Sequence, residues 1–141
     1  MKPVDLVLEL PNDLRAIERA VEFLASRARE AGFDEGLLRL NFRVGVTEAL
    51  ANAMLYGNRG DEKKHVRVDA SVTAERVRVR VRDEGGGFDP DHLEDPTLPV
   101  NRARVGGRGI FLITKLMDQV EFNEAGNAIT MVLNAPAREA P

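Results

Sequence analysis

Glu48-Ala49-Leu50-Ala51-Asn52-Ala53-Met54-Leu55-Tyr56-Gly57-Asn58 is the stretch on which the reading of this chain turns. A carboxylate and a carboxamide stand four residues apart, so on a helix Glu48 and Asn52 project from one face, a turn apart. Ala49, Leu50, Ala53 and Met54 favour that helix. An amide oxygen can help hold a hard cation, and a carboxylate beside it can take a proton or orient a nucleophile. The same pair also suits the polar stripe of an ordinary surface helix. What lies on either side decides between them.

Upstream, Val4, Leu6, Leu8 and Leu10 alternate with Asp5, Val7 and Glu9, the period of a half-buried strand. Pro11-Asn12-Asp13 stops it and offers an N-cap to an amphipathic helix whose apolar face is Leu14, Ile17, Val21, Leu24 and Ala28. Gly32 ends that helix. Asp34 can cap the next one, which carries Leu37, Leu40, Val44, Ala51 and Leu55 and ends around Tyr56-Gly57-Asn58.

Downstream, a polar loop over Arg59 to Lys64 leads to two alternating runs, Val66 to Val72 and Val77 to Val81. They read as a β-hairpin with one apolar and one charged face. Arg67, Arg76, Arg78, Arg80 and Arg82 fall on the charged face. That face can dock a partner, or stay solvated with its arginines paired to Asp69, Glu75 or Glu121.

Asp83-Glu84-Gly85-Gly86-Gly87 breaks the pattern, and 91–105, with Pro96 and Pro99, reads as a mobile loop. A short helix follows Gly106-Gly107-Arg108-Gly109. Strands with Val120 and Phe122, then Ile129, Met131 and Leu133, flank a turn at Glu124-Ala125-Gly126-Asn127. Helices grouped early and strands mostly late predict an α+β fold: a two-layer sandwich whose mixed, mainly antiparallel sheet is covered on one face by helices. One domain is expected over residues 1–134, with a frayed tail over 135–141.

Bulk properties narrow the function. A chain of 141 residues, 43% hydrophobic and 30% charged, suits one soluble globular domain. With no cysteine and only His65 and His92, disulfides and thiolate sites are excluded and a zinc centre is disfavoured. The net charge of −3 argues against direct nucleic-acid binding as the main task. No apolar run suits a signal peptide or a membrane span, so a cytoplasmic location is expected.

Two glycine-rich segments complete the candidate site. Gly85 and Gly87 follow a strand that ends at Asp83. Glycine there lets the backbone approach a ligand closely, and Asp83 can accept a hydrogen bond from an exocyclic amine such as N6 of adenine. A plain turn has the same composition. Gly106 to Gly109 opens a helix, where uncrowded N–H groups can hold phosphate, with Arg104 and Arg108 adding charge. A loop hinge would also use these glycines. Neither a P-loop nor a dinucleotide fingerprint fits, since no Gly-Lys-Ser/Thr and no βαβ unit accompany them.

Taken in order, the Glu/Asn helix, the strand with Asp-x-Gly-x-Gly and the Gly-x-Gly helix start resemble the N box and two glycine boxes of the Bergerat-fold (GHKL) ATP-binding superfamily. Asn52 to Asn58, and Gly106 to Met117 with the Asp118-to-Phe122 strand, are most similar to its anti-sigma-factor serine/threonine kinases. The resemblance implies ATP and Mg2+ as ligands. It implies that Asn52 holds magnesium on the nucleotide phosphates and that Glu48 is the catalytic base or orients the nucleophile. Asp83, Gly85 and Gly87 would form the adenine pocket. Gly107 and Gly109 would serve the phosphates, with Arg104 and Arg108 as further contacts. It further implies a homodimer that binds a sigma factor and phosphorylates an anti-sigma-factor antagonist. Tyr56 stands where that subgroup commonly has histidine, and no phosphoacceptor-histidine helix is present. The same nucleotide residues would serve a partner-binding switch without catalysis, or a stand-alone ATP hydrolase.

Overall fold

The computed structural model describes residues 3–85 and 107–137. The elements run β1 (Val4–Pro11), α1 (Ile17–Glu30), α2 (Glu35–Leu37), α3 (Arg43–Asn52), β2 (His65–Val72), β3 (Arg76–Arg82), α4 (Gly107–Leu116), β4 (Gln119–Phe122) and β5 (Ala128–Asn134). The strands form one sheet in the order β1-β2-β3-β5-β4, and every pairing among the described strands is antiparallel. The expected hairpin is β2–β3, with Val72 opposite Val77 and Val68 opposite Val81.

Alternation in the strands decides which sheet face is covered. Val66, Val68 and Val72, with Val77, Val79 and Val81, are nearly inaccessible and meet Ile129, Met131 and Leu133 from β5. The helices close over that face with Val21, Leu24, Leu38, Phe42, Val46, Leu50 and Met54. Burying each such side chain stabilises the fold by about 1.5–3 kcal/mol. The opposite sheet face carries the arginines.

Asp13 caps as expected: its carboxylate accepts from the Arg15 N–H at 2.9 Å. A 3-10 turn over Leu14–Ala16 intervenes before α1 starts, and it leaves Leu14 49% exposed instead of on the core face. Asp34 likewise accepts from the Leu37 N–H at 3.0 Å.

The helix bearing Glu48 departs further from the expected pattern. Turns with the wider π spacing, Leu38–Phe42 and Ala53–Gly57, flank α3 on both sides. The core stripe is Leu38, Phe42, Val46, Leu50 and Met54, while Leu40 and Leu55 are 59% and 41% exposed. An α-helix turns 3.6 residues per cycle, so residues four apart drift around it; π turns hold more residues each and slow that drift. That is why a four-residue repeat, not the 37/40/44 stripe, faces the sheet.

Gly87, Arg104 and the loop expected over 91–105 lie outside the described residues. So do 138–141. Ala135 is hydrogen-bonded to the sheet through the Glu75 carbonyl, at 2.8 Å.

Candidate functional site

The helix α3 and its π continuation present Ala49, Asn52, Ala53 and Tyr56 at i, i+3, i+4 and i+7, so all four point the same way. They form one wall of a cavity of about 240 Å3. Val81 and Asp83 from the end of β3, Ile110 and Ile113 from α4, and Phe122 with the 126–129 turn complete it. The lining is mostly apolar, with Asp83 at one side and the Asn52 amide at another, as a planar base with a polar edge would require.

Asp83 is 9% exposed. Its backbone N–H donates to the Asn127 carbonyl at 2.9 Å, and its carboxylate accepts from the Gly85 N–H at 2.8 Å. Burial pushes this carboxyl above the usual carboxylate range, while the Gly85 N–H and the Lys64 charge oppose that shift. Gly57 lies against it so closely that a Cβ there would be 2.1 Å from Asp83 Oδ2. A Cβ on Gly85 would stand 1.8 Å from the Gly57 carbonyl oxygen. The helix end and the strand end therefore meet backbone to backbone around this one carboxylate.

Asn58 holds that junction. It is fully buried. Its amide donates to Asn12 Oδ1 at 3.2 Å and to the His65 carbonyl at 3.0 Å, and its oxygen accepts from the Glu84 N–H at 2.8 Å. Asn12 in turn donates to the Met54 and Asp61 carbonyls, and the His65 N–H donates to the Glu84 carboxylate. Asn58→Ala leaves the Glu84 N–H, the Asn12 oxygen and the His65 carbonyl without this partner. At about 1–3 kcal/mol per unmet buried group, it should cost roughly 3 kcal/mol in urea unfolding. A loss under 1 kcal/mol would show that water replaces the amide.

Helix α4 lies antiparallel along α3, seated at residues 41, 45, 48 and 52, one helical face. Asn41 Nδ2 donates to the Leu116 carbonyl at 2.8 Å, and a Cβ on Gly45 would strike Met117 Cε at 2.2 Å. At the other end, a Cβ on Gly109 would lie 2.8 Å from Asn52 Nδ2 and 2.9 Å from Glu48 Oε2. The tips of Glu48 and Asn52 thus both abut the start of α4, near Gly107 and Arg108 in its first turn.

Asn52 Nδ2 is buried and has no hydrogen-bond partner among the described residues. Amide nitrogen and oxygen are interchangeable by a flip, and an orphaned buried amide is costly unless a ligand completes it. A neutral amide oxygen beside a carboxylate is a donor set suited to a hard cation such as Mg2+ carrying phosphate. The residues present fit that group.

A profile of the histidine kinase-like ATPase domain family matches residues 10–133. The chain belongs to that family. It is 27% identical over 133 residues to the serine-protein kinase RsbW of Listeria innocua, covering 89% of this chain and 84% of the relative. The RsbW of Bacillus subtilis is 31% identical over 98 residues, covering 64% of this chain and 61% of the relative. Among solved structures, the RsbU and RsbW domains of Rv1364c from Mycobacterium tuberculosis superpose with a TM-score of 0.63 at 19% identity. That alignment covers 96% of this chain and 33% of the other, and it shows a shared fold.

Of the residues expected at the site, Asn52 and Asp83 line one cavity, Gly85 abuts Asp83, and Glu48 and Asn52 meet at Gly109. Gly57, Asn58, Asn41 and Gly45 are the positions that sequence reasoning passed over. For the first two a signal existed: both lie in the opening stretch, directly after the helix. Phe122 and Asn127 enter the site only through the β4–β5 hairpin, which no local pattern links to Asp83. No helix among the described residues is long and apolar enough to cross a membrane.

Proposed function

We propose that this protein is an ATP-dependent serine/threonine protein kinase that binds a sigma factor and phosphorylates a small antagonist of that inhibition. The observation that carries the reading is the meeting of Glu48, Asn52 and Gly109 beside a cavity whose polar edge is Asp83. A base-reading carboxylate and a reacting-end carboxylate at separate places are what phosphoryl transfer to a protein needs. The RsbW relatives, named serine-protein kinases, support the same reaction class. On this reading the protein acts in the cytoplasm as a homodimer and not on nucleic acid directly.

Asp83 accepts the adenine amine, with Gly57, Gly85 and Gly87 leaving room for the base. Asn52 would hold Mg2+, which when bound neutralises phosphate charge and orients the γ-phosphoryl group. Gly107 and Gly109 offer backbone N–H groups to the phosphates at the start of α4, with Arg104 and Arg108 adding charge. Glu48 takes the proton of the attacking hydroxyl as its oxygen bonds to the γ-phosphorus; the bond to the bridging oxygen breaks and ADP leaves.

The test is incubation with Mg2+, labelled ATP and a small protein that co-purifies with this chain, followed by phosphosite mapping. Labelled serine or threonine, lost in Glu48→Gln, is the expected result. Nucleotide-dependent partner binding without label would make the protein a switch. Phosphate release without any partner would make it a hydrolase.

Acidification gives an independent check. Because burial raises the Asp83 carboxyl, it takes a proton at a higher pH than an ordinary carboxylate, and the protonated form no longer offers the amine a charged acceptor. ATP affinity should therefore fall as pH drops through that raised value, and the fall should flatten in Asp83→Asn. Stability runs the other way. The folded state binds this proton more readily than the unfolded chain, so the cost of the buried charge, fully present above the raised value, is relieved as pH falls through it. A titration of ATP affinity identical in both proteins would remove Asp83 from base recognition.

A further inference from the structure

The sheet face left open by the helices carries Arg76, Arg78, Arg80 and Arg82 along β3, the central strand. Alternate residues on a strand stand about 6.6–6.8 Å apart, so the four form a straight basic ridge. Pairing with Asp69, Glu75 or Glu121 would make the ridge an ordinary solvated surface; Arg67 beside it does pair with Asp69, but none of these four pairs with a carboxylate among the described residues. Asp69 lies opposite Arg80 in the ladder but bonds Arg67 at 3.1 Å. Glu121 is two strands away, across Thr130. Among the described residues, the Arg76 guanidinium bonds Gln119 alone, at 3.5 Å. The side chains of Arg78, Arg80 and Arg82 make no hydrogen bond or ion pair with other described residues.

The arrangement opposes stability from within. Arg67 and Arg82 are directly opposite each other across β2 and β3, a like-charge placement that destabilises a sheet. The stems have a role: Val132 points to this open face yet is 4% exposed, between Arg78 and Gln119 on its two flanking strands. The charges have none inside the fold.

We propose that this ridge docks an extended acidic segment of a partner protein, with carboxylates at alternate positions. Such a segment repeats at the same interval as the arginines, so each guanidinium can meet one carboxylate in a forked pair. The width of the ridge selects this occupant. Asp5 and Glu9 on β1, and Glu121 on β4, border the basic line two strands to either side. A DNA duplex or an anionic bilayer is a broad polyanion and would meet those carboxylates as well; a single extended chain need not. The surface lies on the opposite side of the sheet from the helices, and the proposal stands or falls independently of the kinase reading.

The experiment titrates the whole protein into a labelled nine-residue peptide of alternating glutamate and valine at low salt. Saturable binding that weakens with salt is expected, and Arg78→Glu with Arg80→Glu should weaken it at least about tenfold. Arg78→Ala with Arg80→Ala, which introduces no new repulsion with Asp69, should weaken it in the same direction. ATP affinity and far-UV circular dichroism should be unchanged in both double variants. Equal binding by the wild type and both variants, or no binding to the peptide, overturns the proposal. So does tighter binding to duplex DNA or to phosphatidylserine vesicles than to the peptide, since either assigns the ridge to a broad polyanion.

Discussion

Glu48→Gln should lower phosphoryl transfer to the protein substrate by about 10²–10⁴-fold, the usual worth of a positioned general base, while ATP affinity stays within roughly a factor of two. Glutamine keeps the length of the side chain and its packing against Gly109, where Glu48 Oε2 would lie 2.9 Å from an added Cβ. What it loses is the ability to take a proton. Asn52→Ala is the counterpart. It removes the orphaned amide from the cavity wall, so Mg2+-dependent ATP binding should fall at least about tenfold, with transfer falling because nucleotide is absent. The two variants separate chemistry from binding on one helical face. If both lose nucleotide to the same extent, that face serves binding only and the kinase mechanism proposed for Glu48 is wrong.

The strands were legible because their chemistry is local. Valine or alanine at every second position of 66–72, and valine at every second position of 77–81, buries one face whatever the rest of the chain does, and the ladder registers Val68 with Val81 as that pattern demands. The caps at Asp13 and Asp34 were legible for the same reason. The long helix was harder, since two apolar stripes, Leu37/Leu40/Val44 and Leu38/Phe42/Val46, both match helical spacing. The choice between them is made by the π turns and by the sheet beneath. Residues that meet across the fold were not legible: nothing near Gly45 announces Met117, and nothing near Asn58 announces Asn12 or Glu84. Glu48, Asn52, Asp83 and Gly109 could be grouped from the sequence only because three motifs in a fixed order resemble a family. Their mutual distances are tertiary facts.

Gly57→Ala should weaken ATP binding by about ten- to a hundredfold without unfolding the protein. A Cβ at this position would stand 2.1 Å from Asp83 Oδ2 and 2.3 Å from its Cγ, distances no packing tolerates. The carboxylate has little room to retreat. It is buried, one oxygen is held by the Gly85 N–H at 2.8 Å, and its own N–H is fixed to the Asn127 carbonyl at 2.9 Å. Nor can the helix end lift away on its own, since the Gly57 carbonyl already touches Gly85 and the next residue, Asn58, is bonded through its side chain to three partners. The strain is relieved by turning the Asp83 side chain out of the cavity, which removes the acceptor proposed for the adenine amine. A hydrogen bond to a charged group contributes about 1.5–3 kcal/mol, and each 1.4 kcal/mol is tenfold in affinity. Gly60→Ala is the control. A Cβ there meets nothing within 4 Å, but φ is +70°, so it should cost roughly 1–2 kcal/mol of stability and leave ATP affinity alone. Calorimetric titration of both variants, with circular dichroism to confirm folding, reads the difference. Wild-type affinity in Gly57→Ala would mean that the base is read elsewhere, and that the close approach of Gly57 to Asp83 serves folding alone.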